Sequence, residues 1–305
     1  MGEDFGLTEE REGPSGDEWE GLDVEDEEAD RIARRQDRDF AEFRMRLKDA
    51  DQFKVLGSVF DDATYAAIYK LVQDGHVTAL GGPISTGKEA HVFEAYGPEE
   101  SDVAIKIYRI NASNFRQMRD YLEGDPRLEE LGGDKKSVVV AWTRKEFANL
   151  RRAIEAGVRV PEPIAVQRNV LVMELIGEEG DAAATLNDVE IENPETAFEV
   201  VREYMRRLYD AGLVHGDLSE YNVVVYEGEL VVIDVGQAVT VHHPNADDFL
   251  ERDCENVAAF FARQGVDVTA DALYEHVTAG DADDTGTADD GRGAGGDGPG
   301  ATNNA

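Results

Sequence analysis

Short apolar runs bounded by turn residues recur through the middle of the chain and predict β-strands. The runs cover residues 91–96, 103–108, 170–175, 223–226 and 230–234, and each is rich in the β-branched residues that strands favour. Between and after them, apolar residues recur at spacings of three and four, which is the period of an amphipathic helix. The alternation of both patterns predicts an α+β fold.

Three helices are predicted from this spacing. The first follows a capping aspartate, Asp61 or Asp62, and ends at Gly75; the second covers about 143–156; the third covers 193–212, with a proline in its first turn. Their inward faces are expected to carry the periodic apolar residues: Tyr65, Ile68, Tyr69, Val72, Phe147, Leu150, Ile154, Phe198, Val201, Met205 and Leu208.

The two ends of the chain differ from this middle part. Residues 1–50 are acidic, with a helix-like pattern near their end, and residues 278–305 are rich in Asp, Gly and Ala. Segments so poor in apolar residues cannot bury a core and are expected to be largely disordered. We therefore predict one folded domain over 51–277, with an N-terminal lobe over about 51–176 and a C-terminal lobe over about 177–277.

Charge narrows the classes of partner. The 66 acidic residues outnumber the 30 Lys and Arg, for a formal net charge of -36, and such a surface repels the phosphates of nucleic acids at low salt. No nucleic-acid motif is present. At molar ionic strength the Debye length falls to about 3 Å, so this acid excess is typical of a protein from a salt-accumulating, halophilic cytoplasm.

Cysteine and hydropathy bear on location. The single cysteine, Cys254, cannot form an internal disulfide. No stretch approaches the roughly 20 apolar residues of a membrane span, and the first residues are acidic where a signal peptide is basic. We expect a cytoplasmic protein with no membrane partner.

Four signals in a fixed order point to phosphoryl transfer. Residues 103–106 read VAIK, ending at Lys106, and Glu146 in the next helix can pair with that lysine. Residues 215–222 read HGDLSEYN, in which Asp217 suits the catalytic aspartate and Asn222 a Mg²⁺ ligand, and Asp234 closes the following strand as a second ligand. Each signal alone has a structural explanation, but their shared order favours a kinase.

Three features depart from ordinary protein kinases: a glycine loop with one glycine, Ser219 where a lysine usually stands two residues after the catalytic aspartate, and a short C-terminal region. Residues 85–92 read STGKEAHV, with one glycine; Ser85 and Lys88 are interpreted as phosphate contacts on a hairpin. The string beginning at Gly82 nearly matches a Walker A motif, but Glu89 replaces the required hydroxyl and a strand follows, which excludes a P-loop fold. Only some forty residues separate Gly236 from the tail, too few for a peptide-docking platform.

Glu174 and Ile176 lie at the end of the strand 170–175, just before Gly177. This is the hinge position, where their backbone groups can bind an adenine edge. Lys106 and Glu146 are 40 positions apart, more than a strand-to-helix connection needs, and either a mobile loop near the nucleotide or a plain solvated insertion explains the extra residues.

The motifs STGKEA, AIKIY, HGDLSEYN and IDVGQAV resemble those of the RIO family of atypical kinases, over about residues 50–277 and closer to its first subfamily. The resemblance implies a two-lobed minimal kinase fold, ATP and Mg²⁺ between the lobes, serine/threonine kinase and ATPase activity, and a role in small ribosomal subunit maturation. It further implies that Asp234 can accept a phosphoryl group from ATP. The implied partners are a small-subunit precursor or its assembly factors, and a protein substrate that includes the chain itself.

Two other functions stay open at this point. The HGD-x4-N loop also occurs in small-molecule phosphotransferases of the aminoglycoside type, although STGKEA and the short C-terminal region argue against one. A non-enzymatic assembly factor that ATP switches is the second, although it would not need Asp217 together with Asn222 and Asp234.

Overall fold

A computed structural model describes residues 38–43, 60–110, 118, 121–122, 134–178 and 181–279. Residues 1–57 and 58–305 form two units. In the first, residues 38–43 are helical. This short helix agrees with the helix-like pattern predicted near the end of residues 1–50; apart from it and from residues 278–279, the predicted disorder of 1–50 and 278–305 concerns residues outside the described ranges and stays a prediction. All elements named below belong to the second unit.

A five-stranded antiparallel sheet with a flanking helix forms the N-terminal part of this unit. The strands follow the order β1-β2-β3-β5-β4, which places Lys106 on the central strand β3. The elements are α1 (Asp62–Gln73), β1 (Ala79–Thr86), β2 (Ala90–Tyr96), β3 (Asp102–Tyr108), β4 (Pro163–Gln167) and β5 (Val170–Glu174). Asp61 caps α1 by accepting the backbone N–H of Thr64, as predicted.

The second long helix, α2 (Lys135–Glu155), differs from its prediction. The expected start near Thr143 is wrong, because the helix begins two turns earlier, after its cap Asp134. Consecutive valines disfavour a helix locally, but packing of an apolar face outweighs that preference, and Val138, Val139 and Trp142 are buried. Ile154, expected to face inward, is 41 % exposed, while Ala153 is buried instead.

The C-terminal part is mainly helical, and most of its buried apolar residues belong to one large core cluster. Asn193 caps α3 (Pro194–Asp210), and the predicted residues Phe198, Val201, Met205 and Leu208 are buried. The remaining elements are β6 (Gly177–Glu178), β7 (Asp181–Ala182), β8 (Leu213–Val214), β9 (Val223–Tyr226), β10 (Glu229–Val232), β11 (Val239–Thr240), α4 (Ala246–Arg263) and α5 (Ala270–Thr278). Cys254 lies buried in α4 among aromatic residues.

Several strand predictions need correction. The run 230–234 ends as a strand at Val232, so Asp234 lies in the following turn and can aim its side chain independently of the pleat. Strands β1 and β4 were not predicted, because glycine and proline interrupt the first and prolines precede the second. The small N-terminal sheet and helical C-terminal part agree with the predicted two-lobed α+β fold. Across the described ranges, no helix has the length and hydropathy to cross a membrane.

Candidate active site

A cavity of about 620 Å³ lies between the five-stranded sheet and the segments that flank the hairpin β9–β10, at residues 221–222 and 233–237. Its volume falls in the range typical of small-molecule sites, and backbone and side chains of both parts line it. It brings together all eight residues predicted to bind nucleotide or metal: Ser85, Lys88, Lys106, Glu146, Glu174, Ile176, Asn222 and Asp234. Asp217, predicted as the catalytic aspartate, is not part of the lining and is hydrogen-bonded to Asn222.

Lys106 bridges two carboxylates at the centre of the cavity. Its Nζ lies 2.7 Å from Glu146 Oε1 and 2.7 Å from Asp234 Oδ1. The Lys106 and Glu146 side chains are 8 % and 1 % exposed, whereas that of Asp234 is 53 % exposed toward the cleft. A buried anchor thus holds the lysine, and the accessible carboxylate is the one that incoming groups can reach.

The charges of this cluster keep the lysine ionised. Burial acts to lower the pKa of Lys106, but the carboxylates of Asp234 and Glu146 outweigh it and place that pKa well above its ordinary value. Although the Asp234 side chain is 53 % exposed, desolvation inside the cleft acts to raise its pKa, and Lys106 outweighs this and holds that pKa below the ordinary value. Burial raises the pKa of Glu146, partly offset by Lys106. Asp234 is therefore an anion at neutral pH.

Tyr108, which the sequence pattern did not single out, completes the anchor. Its hydroxyl donates to Glu146 Oε2 at 2.5 Å, so both oxygens of Glu146 are occupied. Burial and the neighbouring carboxylate raise the pKa of Tyr108 well above its usual range, and the phenol stays a donor. Tyr108 lies two positions after Lys106 in β3. Because side chains two positions apart in a strand lie on the same face, this spacing could have indicated that Tyr108 belongs to the site.

At the predicted hinge, Arg159 holds the side chain of Glu174. Two guanidinium nitrogens donate to the two carboxylate oxygens at 2.7 and 2.5 Å. The backbone N–H of Glu174 donates to Glu162 and the carbonyl of Ile176 accepts from Ala183, so an adenine edge would have to use the other backbone groups. The bidentate pair fixes the strand end where those groups lie.

Asp217 and Asn222 are joined within the catalytic loop. The Asn222 Nδ2 donates to the backbone oxygen of Asp217 at 2.7 Å, and Gln237 Nε2 donates to Asp217 Oδ2 at 3.1 Å. Burial, then the charge of Asp234, raises the pKa of Asp217 above its ordinary value. Gln237 was not predicted; it follows Gly236 directly and links the two acidic motifs.

The helix α4 supports this loop from below with two residues that the sequence pattern missed. The carboxylate of Asp253 accepts the backbone N–H groups of Gly216 at 2.7 Å and Leu218 at 2.8 Å. Arg252 donates to the Gly216 carbonyl. Asp253 is buried, and burial raises its pKa to about 7. Asp253 lies next to Cys254 on the apolar face of α4, and an aspartate at such a position could have indicated a buried role from the sequence.

His215 begins the loop and is buried, and burial lowers its pKa to about 4. The ring is therefore neutral at pH 7. It is surrounded by Leu218, Leu250 and other apolar residues, which fits the structural explanation of this histidine as a packing residue that orients the loop.

The donor set fits a magnesium ion. With Nδ2 engaged, Asn222 can offer its side-chain oxygen, and Asp234 offers a carboxylate; both are the hard oxygen ligands that Mg²⁺ takes. Over the described part of the chain, no group of three His, Cys, Asp or Glu residues could hold a metal by itself. Sites that share the metal with nucleotide phosphates need only one or two protein carboxylates.

The backbone at Asp234 is unusual, with a φ of 60°. Residues other than glycine adopt this left-handed conformation at a cost of about 1–2 kcal/mol. Such strain persists only where surrounding contacts over-determine the conformation, and it concentrates at functional sites.

Comparison with known proteins adds three findings. A family model described as the RIO domain matches residues 91–273. The RIO-type serine/threonine-protein kinase Rio1 of Haloferax volcanii, a halophilic archaeon, is 72 % identical over 93 % of this chain and 98 % of its own length. Rio1 of Methanocaldococcus jannaschii is 38 % identical over 77 % of this chain and 81 % of its own.

Among solved structures, the Rio2 kinase–ADP/Mg²⁺–phosphoaspartate complex from Chaetomium thermophilum matches the fold with a TM-score of 0.55 at 24 % identity. The match covers 70 % of this chain and 66 % of that one. This similarity bears on the fold, which agrees with the two-lobed kinase-like architecture described above.

Proposed function

The chain belongs to the RIO family of serine/threonine-protein kinases, in its Rio1 group, and from that premise we propose that it transfers phosphate from ATP with Mg²⁺. In this proposal it also hydrolyses ATP through a phosphorylated Asp234. Its proposed target is a precursor of the small ribosomal subunit. The family membership favours this over a small-molecule phosphotransferase. The presence of a positioned Asp217 favours it over a factor that only binds ATP.

One observation carries the proposal: Lys106 bridges buried Glu146 and cleft-facing Asp234 at 2.7 Å each. In kinases, a lysine so anchored contacts the α- and β-phosphates of ATP. Here Lys106 would hold those phosphates, and Asp234 with Asn222 would hold Mg²⁺, which would supply positive charge to the transferred phosphoryl group. Lys88 lines the same cavity on the β1–β2 side and can supply a cation that Ser219, in place of the usual lysine, does not.

Asp217 would orient the acceptor. For a protein substrate, its carboxylate accepts the proton of a serine hydroxyl as the oxygen of that serine attacks the γ-phosphorus and ADP leaves. Gln237 occupies one oxygen, Oδ2, so the other is the one that faces a hydroxyl. The raised pKa of Asp217 strengthens it as a proton acceptor.

In the absence of a hydroxyl, the proposed nucleophile is Asp234, which lines the same cavity. A carboxylate oxygen of Asp234 attacks the γ-phosphorus, the bond to the β–γ bridging oxygen breaks, and ADP departs; water then cleaves the acyl phosphate and releases inorganic phosphate. The anionic state and exposure of Asp234 support this step. The Rio2 kinase from Chaetomium thermophilum, as an ADP/Mg²⁺–phosphoaspartate complex, offers a precedent in a protein of similar fold.

Labelling tests the chemistry. The chain is incubated with γ-labelled ATP and Mg²⁺ in molar KCl, and the bound label is treated with hydroxylamine, which cleaves acyl phosphates but leaves phosphoserine intact. We expect release of label, and no label in Asp234→Ala at saturating nucleotide. Label that resists hydroxylamine and maps to serines would show ordinary autophosphorylation and reduce Asp234 to a metal ligand.

The ribosomal role is tested by sedimentation. Tagged chain carrying Asp217→Asn, which should bind ATP without turnover, is expected to co-sediment with small-subunit precursors in high-salt gradients more than the wild type does. Equal sedimentation of both, away from the precursors, would argue for another substrate.

A further inference from the structure

The helix α2 contacts the turn that carries Asp234 through two side chains besides Glu146. The ammonium of Lys145 donates to the backbone oxygen of Gly236 at 3.0 Å. The amide of Asn149 donates to the backbone oxygens of Val235 at 3.1 Å and Ala238 at 2.9 Å. Three carbonyls of the metal-binding turn, residues 234–238, are thus satisfied by one helix.

These contacts are deeply buried. Lys145 is 3 % exposed and Asn149 is not exposed at all. The Lys145 ammonium also lies over the rings of Trp142, at 4.8 Å, and Tyr121, at 5.9 Å. A buried polar group that loses its partner costs free energy, so the turn cannot separate from α2 without breaking three buried hydrogen bonds.

The same stretch of α2 carries Glu146, which lies between Lys145 and Asn149 in sequence. Glu146 fixes Lys106, while its two neighbours fix the turn whose first residue, Asp234, has the left-handed φ of 60°. The anchor of the phosphate-binding lysine and the seat of the metal ligand are therefore attached to one rigid element. Moving α2 outward would displace both together.

We propose that Lys145 and Asn149 are positioning residues that hold Asp234 in its metal-binding conformation and make α2 and residues 234–238 move as one body. This rests on the proposed function in one respect, that Asp234 binds the metal that accompanies ATP. In this proposal, α2 holds the metal-binding turn in place through buried hydrogen bonds. Because α2 and the turn share these bonds, they do not move separately.

Binding measurements test the proposal without relying on turnover. Lys145→Met removes the donor and keeps the length of the side chain; Arg144→Met, at an exposed neighbouring position on α2, is the matched control. ATP affinity is titrated in EDTA and in Mg²⁺. In EDTA, we expect the ATP affinity of Lys145→Met to match that of the wild type within about twofold. The gain in ATP affinity on adding Mg²⁺ should be roughly tenfold smaller than in the wild type, which corresponds to the loss of one hydrogen bond from a charged group.

A second variant covers the case in which Lys145→Met does not fold. Asn149→Leu has a similar volume and removes both donors to the turn, and the same selective loss of the Mg²⁺-dependent gain is expected. Wild-type hydrogen exchange adds a readout that needs no variant: peptides covering 143–150 and 233–240 should gain protection together when ATP and Mg²⁺ bind.

The outcomes are distinct. Equal Mg²⁺-dependent gains in the wild type, Lys145→Met and Asn149→Leu would overturn the coupling, as would independent protection of the two peptides. Either result would leave the proposed function standing, provided that Asp234→Ala still loses Mg²⁺-dependent binding. A wild-type chain that binds ATP equally in EDTA and Mg²⁺ would instead contradict the proposed metal site itself.

Discussion

Asp253 accepts the backbone N–H of Gly216 at 2.7 Å, although the two residues are 37 positions apart. Through this bond and its partner to Leu218, a carboxylate buried in α4 holds the catalytic loop in place. The loop conformation that presents Asp217 therefore depends on a residue outside every motif that the loop itself contains.

The titration of Asp253 predicts a pH-dependent stability. Its folded-state pKa of about 7 exceeds the ordinary value of 3.8, so the folded chain holds the proton more tightly than the unfolded one. This stabilisation is complete below pH 3.8 and is lost as the pH rises through 7, with a full size of the order of 4 kcal/mol. Because Asp253→Asn cannot titrate, its unfolding free energy, relative to wild type, should rise across that window.

Chemical denaturation in molar KCl at several pH values measures this difference. Glu146 and Asp217 also have raised pKa values, and comparison of the variant with wild type removes their contribution. A difference between the two that stays constant from pH 4 to pH 8 would mean that Asp253 is charged throughout.

Asp217→Asn should separate binding from chemistry. The amide keeps the size of the side chain but cannot accept a proton, and we expect kcat to fall by roughly 10²–10⁴-fold. MgATP affinity should stay within about twofold, because Asp217 lies beside the cavity and not in its lining. Asp267→Asn, on an exposed loop, is the control, and a comparable loss of kcat there would point to a general effect of lost charge.

Lys106→Met should destabilise the fold as well as weaken nucleotide binding. Glu146 is 1 % exposed, and removing one partner of a buried pair costs about 3–5 kcal/mol. Unpaired Glu146 would have a pKa further above its unfolded value, so the destabilisation should grow as the pH rises. The double variant Lys106→Met/Glu146→Gln should regain stability in thermal melts without regaining ATP binding; failure of Glu146→Gln to restore stability would place the cost elsewhere.

The net charge of -36 predicts that salt stabilises the fold. Crowded carboxylates repel one another at low ionic strength and are screened at molar salt. Each kcal/mol gained raises the melting midpoint by roughly 2–4 °C in a domain of this size, and we expect a rise of more than one such step between 0.1 and 2 M KCl. Tetramethylammonium chloride should act similarly, since screening depends on ionic strength; a flat series would contradict salt adaptation.

Local pattern was enough for many of the elements, although not for strands β1 and β4, and for the residues predicted to line the cavity. A few consecutive residues determine each of three local features: the Asp61 cap, the helix start at Asn193 and Pro194, and the hairpin after HGDLSEYN. Because capping, alternation and turn chemistry act over such short spans, the amino-acid sequence alone could assign Lys106, Asn222 and Asp234 to their motifs. The early start of α2 could not be predicted in this way, since burial of Val138 and Val139 decided it against their local preference.

Contacts between distant parts of the chain were decided by the tertiary structure alone. Asn149 meets Val235 across 86 residues and Lys106 meets Asp234 across 128, and no local pattern states which buried polar groups will face each other. The sequence determined that a kinase's chemical groups were present and in order. The packing of α2 and α4 determined which backbone groups their polar side chains bind. A buried donor needs an acceptor, and only the folded chain brings the two together.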